Sequence, residues 1–241
     1  MSTAAQVAQL VEPFLERHPE FTLVGRSVVM RPVGHLMRSF FIDRTSAKGH
    51  VQPNWSVATT FAPPPKHLTG SGARLVRGVG YVDDPQTQAR LLEEMELITS
   101  DILSTAEIDS IPALGWKAEP IFGPVPMALA MPLIAKGEFA EAAPYFTNML
   151  TRIDAAVEQR AAALRKHRSA DSRPARLDSY VLGRLQESQG GFRTICSLLA
   201  AGDAPAIAAQ LHKWEAAAVR MHKVEHLWVP SPFPFELGAG N

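Results

Sequence analysis

The chain has 241 residues, of which 46% are hydrophobic and 20% charged, a composition typical of a globular protein that excludes extensive disorder. Lysine plus arginine equals aspartate plus glutamate at 24 each, so no net charge attracts the chain to nucleic acid or to an anionic membrane. The single cysteine, Cys196, excludes an intrachain disulfide and is typical of a reducing compartment. No secretory signal is visible, and Pro126 and Pro132 interrupt the most apolar run. We therefore expect a cytoplasmic protein.

The first third of the chain carries one helix and then strand signals. Apolar residues spaced three or four apart predict a helix over residues 3–18. Alternating and β-branched residues predict four strands with short connections, which together form an antiparallel sheet. These strands are predicted over residues 21–30, 35–44, 51–61 and 74–82. A loop rich in proline and glycine, residues 62–72, separates the last two.

The remaining two thirds of the chain have helical spacing. Asp83-Asp84-Pro85 is typical of a helix start, and residues 85–106 form the helix that we expect to cover the sheet. Two helical hairpins should follow, each turning at a glycine, Gly137 or Gly202. Their helices are predicted over residues 127–136, 139–168, 192–201 and 207–228, with an exposed connector at 169–176.

These patterns predict an α+β fold in which a four-stranded antiparallel sheet with covering helices precedes an α-helical bundle of helical hairpins. The expected domain organisation is an N-terminal α+β domain over residues 1–110, an irregular linker over 111–126 and a helical domain over 127–241.

The sharpest chemical motif is His222-Lys223-Val224-Glu225-His226, an H-x-x-E-H sequence. On a helix it places two imidazoles one turn apart on one face with a carboxylate beside them, the spacing with which inverted zinc peptidases bind zinc. Those enzymes take a third ligand, a glutamate, from a later helix, whereas Glu236 in a proline-rich segment is the only acid that follows here. A solvated polar helix face is the favoured interpretation, and zinc bound by His222 and His226 is the alternative.

A second cluster lies on the predicted hairpin and the third strand: Arg26, His35, Arg38, Arg44 and Trp55. A sheet face with arginines and aromatic residues is typical of a surface that binds a partner or an anion. Cross-strand pairing between arginine and Asp43 on a solvated sheet gives the same pattern. Both interpretations remain open at this point.

The C-terminal segment combines large apolar residues with three prolines. Trp228, Phe233, Phe235 and Leu237 would be costly to leave in water, and the prolines restrict the unfolded chain. We therefore predict an ordered docking segment, on its own chain or on a partner, with Trp228, Phe233 and Phe235 as partner-binding residues.

Other constellations give weaker signals. Cys196 lies in an apolar helix without a neighbouring histidine, which predicts a structural thiol and not a nucleophile. The basic run at 165–168, with Arg173 and Arg176, lacks interleaved aromatic residues and is typical of a solvated helix end.

Two functional hypotheses follow. The preferred one is a non-catalytic protein-binding protein, an adaptor or an immunity-like component, which uses the sheet face and the helical hairpins, needs no cofactor and binds another protein or itself. The alternative is a metal-dependent hydrolase that uses His222, Glu225 and His226 with zinc. Binding to nucleic acid or to a membrane is not expected.

Overall fold

The computed structural model describes residues 3–64, 68–105, 108–110, 119–122, 125–167, 169 and 172–238. It confirms the predicted α+β fold, in which an antiparallel sheet precedes a mostly helical region. The strands are β1 (Phe21–Val24), β2 (Ser27–Met30), β3 (Leu36–Arg44), β4 (His50–Thr59), β5 (Thr69–Arg74), β6 (Gly80–Tyr81) and β7 (Glu119–Phe122). The helices are α1 (Ala4–Arg17), α2 (Pro85–Ser104), α3 (Val125–Lys136), α4 (Phe139–Arg165), α5 (Arg173–Ala201) and α6 (Ala204–Met221).

The sheet has seven described strands, whereas four were predicted. Its order is β1-β2-β3-β4-β5-β7, all antiparallel, and β6 pairs with β4 beside β5. The predicted strand over residues 21–30 is in fact two strands, because Gly25 adopts a φ of +64° and turns the chain between Val24 and Ser27. Strand β7 lies in the segment predicted to be an irregular linker.

The predicted strand over residues 74–82 is only partly correct, because it contains the short strand β6 but residues 75–79 form no strand. Strand β5 begins earlier, at Thr69, inside the segment predicted to be a loop. Its glycines were interpreted as loop residues, but Gly70 serves close packing, since a methyl group there would overlap with the backbone of Val57 and Ala58.

Both faces of the sheet are covered by other parts of the chain. On one face, Phe40, Ile42 and Trp55 pack against α1 and α2, which supply Phe14 and Met95 among others. On the opposite face, Met37 and Ala58 pack against the C-terminal end of α6 and the residues that follow it, including Val219 and Val224. The sheet is therefore a central layer between helices that cover much of both faces, although Phe41 on the second face is 40% exposed.

Helix α2 begins where the sequence predicted. The Asp84 side chain accepts hydrogen bonds from the backbone N–H groups of Gln86 and Thr87, and Pro85 occupies the first helical position. The Thr87 hydroxyl also donates a hydrogen bond to the Asp84 carboxylate. This bond has the largest effect, and together with the two backbone hydrogen bonds it lowers the pKa of Asp84.

The helical half contains the two predicted hairpins, α3–α4 and α5–α6. Gly137 and Gly202 end α3 and α5 with φ of +86° and +64°, as their sequence positions predicted. Helix α5 starts 19 residues before the predicted 192, because Ser172 caps it and Pro174 lies in its first turn. Half of the predicted connector at 169–176 is therefore helical. No helix among the described residues is both long and apolar enough to cross a membrane.

A second core joins α3–α6 to the end of the sheet and to the C-terminal segment. We call residues 228–238 the tail. Phe233 of the tail is fully buried among Phe61, Phe146 and the apolar faces of α3 and α6. The tail thus docks on its own chain, although Leu237 is 72% exposed and takes no part.

Candidate functional site

A buried glutamate on α6 is the centre of a polar network that reaches the start of β3 and the tail. The side chain of Glu215 is 1% exposed, and its Oε1 lies 2.7 Å from Nδ1 of His35, which precedes β3. The Thr60 hydroxyl lies 3.2 Å from the same oxygen, and Nδ1 of His212 lies 2.9 Å from the other, Oε2. A carboxylate removed from water in this way is stable only because each oxygen receives hydrogen bonds.

The network continues from α6 into the tail. Nε2 of His212 lies 2.8 Å from Oε2 of Glu236, and that same oxygen accepts a 2.7 Å hydrogen bond from the backbone N–H of Phe233. On the other side, Nε2 of His35 lies 3.2 Å from the Ser231 hydroxyl and 3.3 Å from the Pro232 carbonyl oxygen. We call His35, His212, Glu215, Glu236 and Ser231 the latch, since they connect the tail to α6 and to the start of β3.

The Phe233 ring fills the space between the two latch histidines. It stacks on His35 with ring centres 4.2 Å apart and an interplanar angle of 15°, and it lies 4.7 Å from the His212 ring. The edge of Phe61 completes the enclosure at 5.0 Å. Stacking between aromatic rings is favourable, so these ring contacts add to the apolar burial of Phe233.

His212 bridges two carboxylates. Its Nδ1 lies 2.9 Å from Oε2 of Glu215, and its Nε2 lies 2.8 Å from Oε2 of Glu236. His212 therefore connects the buried glutamate of α6 to the tail.

Ser231, His35 and Glu215 also have the connectivity of a nucleophile, base and acid. Two features argue against acyl transfer. Pro232 follows the serine and has no N–H with which to stabilise an oxyanion. The Pro232 carbonyl oxygen also lies 3.3 Å from Nε2 of His35, so the serine hydroxyl is not the only group placed at that nitrogen. The arrangement holds the tail in place.

A cavity of about 430 Å³ lies beside the latch. The start of β3, the end of α3 and the tail form its walls, and most lining residues are apolar. Its polar lining residues, within the part of the chain that the structure describes, are His35, Arg38, Lys136 and Ser231.

Arg38 is the unusual member of this lining. Its Nη1 donates a 3.3 Å hydrogen bond to the carbonyl oxygen of Thr105 at the end of α2, whereas its buried Nε has no hydrogen-bond partner among the described residues. Burial lowers the pKa of Arg38 below its usual value. A half-buried guanidinium without a carboxylate beside it is unfavourable unless something else pairs with it.

The predicted partner-binding residues do not form one surface. His35 and Phe233 meet in the latch, and Arg38 lines the cavity. Arg26 is half-buried, with its Nε donating a 2.7 Å hydrogen bond to the Ile42 carbonyl, and Trp55 is 3% exposed. Trp55 therefore belongs to the core, because α1 and α2 cover the face on which it lies.

The three remaining predicted positions are Arg44, Trp228 and Phe235. Arg44 pairs with Val51 across β3 and β4, and its side chain lies outside the described residues. Trp228 forms a parallel bridge with Val33, the residue between β2 and β3, and Phe235 packs edge-on against Phe139 at 5.2 Å. Trp228 and Phe235 therefore make contacts within the chain.

The zinc hypothesis depended on a continuous helix through the H-x-x-E-H segment, and that helix is absent. Helix α6 ends at Met221, Lys223 has a φ of +60°, and Glu225–Leu227 forms a short 3₁₀ helix. His222 and His226 therefore do not lie one turn apart on one helix face. The described residues contain no group of three or more histidine, cysteine, aspartate or glutamate side chains placed to bind a metal.

Cys196 lies half-buried in α5, and burial raises the pKa of its thiol. A raised pKa leaves little thiolate at neutral pH, which agrees with the predicted structural role.

Sequence reasoning found His35 but missed Glu215 as its partner. One signal was available, because Glu215 occupies a core position of α6, one turn after Leu211 and one turn before Ala218, both buried. A carboxylate in an apolar stripe indicates a buried ion pair, but its partner lies 180 residues away in the sequence.

Comparisons of the chain with protein-family models, with curated proteins and with solved structures found no match.

Proposed function

We propose that this protein is a non-catalytic, cytoplasmic protein-binding protein that holds its partner on the outer part of the α4–α5 hairpin. We call this part, residues 155–187, the arm. The sheet face, which the sequence suggested as a binding surface, is covered by helices and is replaced by the arm in this proposal.

The main support for the proposal is that few side chains of the arm are buried. Among the described residues of 155–187, only Ala175 is buried. Leu177 and Tyr180, one turn apart on α5, are 60% and 67% exposed. Large apolar side chains grouped on an exposed helix surface are typical of a contact surface for another protein.

The charge of the arm indicates the chemistry of the partner. Arg165, Lys166, Arg173 and Arg176 are exposed near its tip, in a chain of zero net charge. Asp178 is engaged within the arm by Arg160 and His167, at 2.5 and 2.8 Å. A cationic rim around an apolar contact favours a partner with an acidic, partly apolar surface.

The cytoplasmic assignment is supported by the single thiol, which is typical of a reducing compartment. A non-catalytic role is supported by the latch, in which each polar group is engaged in holding the tail.

Affinity capture from the source cell with three forms of the chain tests the proposal. The double variant Leu177→Ser, Tyr180→Ser removes the apolar contact, and Leu97→Ser, at a 63% exposed position of α2, is the matched control. We expect the wild type and the control to retain the same protein, and the double variant to lose it. Reconstitution of the purified pair then has to show a roughly tenfold or greater loss of affinity for the double variant.

Salt and charge provide a second test of the proposal. Arg173→Glu should slow association with the purified partner, and the difference from wild type should shrink at high ionic strength. The arm is not the binding surface if the wild type and the double variant retain the partner equally. The same conclusion follows if neither the double variant nor Arg173→Glu alters binding of the purified pair.

A further inference from the structure

The cavity beside the latch is independent of the arm and suggests a second binding activity. Its volume of about 430 Å³ lies within the range of roughly 300–1,000 Å³ that is usual for small-molecule sites. Leu36, Ala135 and Val229 give it apolar walls. Such a site binds a ligand with an apolar body, and a few polar groups then determine the orientation of that ligand.

The charged residues of the cavity lining indicate which polar group the ligand carries. Arg38 and Lys136 line the cavity, and no carboxylate lines it among the described residues. The Nε of Arg38 is buried and has no hydrogen-bond partner in the part of the chain that the structure describes, while its Nη1 donates to the Thr105 carbonyl oxygen. The guanidinium is thus fixed at Nη1, and Arg38 as a lining residue provides the cavity with a cation that can pair with an anion.

The position of the helices favours a single negative charge. Ala135 and Lys136 lie at the C-terminal end of α3, and Arg38 binds the carbonyl at the C-terminal end of α2. Helix C-termini carry partial negative charge, which disfavours a dianion such as a phosphate monoester. A carboxylate has one charge and fits the planar guanidinium.

We propose that this cavity binds a free organic monocarboxylate with an apolar body, whose carboxylate pairs with the guanidinium of Arg38. The tail forms one wall through Val229 and Ser231, so the site is complete only when the tail is docked on the rest of the chain.

Calorimetric titration of the full chain with octanoate tests this, with octanamide as the uncharged ligand of equal length. We expect octanoate to bind the wild type at least about tenfold more tightly than octanamide does. Arg38→Met should remove at least about tenfold of the octanoate affinity and leave octanamide unchanged. The matched control is Arg90→Met, at an exposed position of α2, which should bind octanoate as the wild type does.

Two further variants keep the test decisive. Ser231→Phe, at an exposed lining position, retains Arg38 but narrows the cavity, and it should weaken both ligands alike. The arm variant Leu177→Ser, Tyr180→Ser should bind octanoate normally, which separates this inference from the proposed protein-binding function.

The inference is overturned if octanoate shows no binding to the wild type at about 1 mM, a weak-affinity limit. It is equally overturned if octanoate and octanamide bind alike, or if a folded Arg38→Met variant binds octanoate as the wild type does. Should Arg38→Met fail to fold, the ligand pair on the wild type and the Ser231→Phe variant decide the question.

Discussion

The latch and the arm use similar residue types in opposite ways. Both combine apolar side chains with histidine and carboxylate groups, Phe233 with His35, His212 and Glu215 in the latch, and Leu177 and Tyr180 with His167 and Asp178 in the arm. In the latch, Phe233 is fully buried and Glu215 has no contact with water, whereas in the arm Leu177 and Tyr180 are mostly exposed. The latch therefore contributes to the stability of the folded chain, and the arm contributes little. Changes in the two regions should separate stability from binding.

The largest stability effect should come from the tail aromatic at the centre of the latch. Phe233→Ala removes a fully buried ring and leaves a cavity between His35 and His212, which should cost about 3–5 kcal/mol of unfolding free energy. Leu237→Ala, at a 72% exposed position of the same tail, should change it by about 0.5 kcal/mol or less. Urea unfolding of both variants measures the difference. Equal stabilities would mean that the tail does not pack as described.

A smaller effect is expected at the polar centre of the latch. Glu215→Gln removes the charge between two imidazoles and places an amide N–H₂ against an N–H donor, which should cost about 1–3 kcal/mol. The matched control is Glu225→Gln, an exposed glutamate beyond the end of α6, and it should be close to neutral. The same unfolding measurement applies, and a neutral Glu215→Gln would show that the buried carboxylate is dispensable.

The arm should respond to acid through Asp178. Hydrogen bonds from His167 and Arg160 hold the pKa of Asp178 below its usual value, so its folded pKa is depressed relative to the unfolded chain. Its contribution to stability is present above the unfolded value of about 3.9 and is lost as pH falls through the folded value. Protection factors from amide exchange over 160–182 should therefore fall on acidification below about pH 4.

Asp178→Asn is the control for this acid response. It should lower protection of the arm near neutral pH and abolish the further decrease in acid. An unchanged acid response in Asp178→Asn would assign it to other carboxylates.

The smallest stability effect should come from the exposed face of the arm. Leu177→Ser and Tyr180→Ser should each change the unfolding free energy by about 0.5 kcal/mol or less, because both side chains are already mostly exposed to water in the folded chain. Thermal melting of the double variant checks this. A loss as large as that of Phe233→Ala would show that these side chains pack within the protein, and the contrast between arm and latch would then be wrong.

Local signals in the sequence account for much of the fold. Asp84 with Pro85, and the glycines at 137 and 202, predicted the helix ends correctly because each acts through its own backbone neighbourhood. Gly25 and Gly70 misled the strand assignment, since one makes a turn where a continuous strand was predicted, and the other allows close packing where a loop was predicted.

The candidate site was less accessible from the sequence. The H-x-x-E-H spacing suggested a zinc site only as the alternative to a solvated helix face, and α6 ends at Met221, before the motif begins. The latch joins residues from β3, α6 and the tail, and no local period reveals which carboxylate a histidine will meet across such distances. The buried position of Glu215 was the one usable signal.

The bridge between Val33 and Trp228 has a consequence for biosynthesis. The backbone N–H of Val229 donates to the Val33 carbonyl, and the Ser231 hydroxyl meets a histidine 196 positions earlier in the chain. Contacts of such long sequence separation form slowly and late, and here they wait until the ribosome has added residue 236. Strands β1–β4 emerge long before and remain incompletely covered during elongation. We expect nascent chains that stall before the tail to expose the Met37–Ala58 face of the sheet and to be recognised by chaperones there.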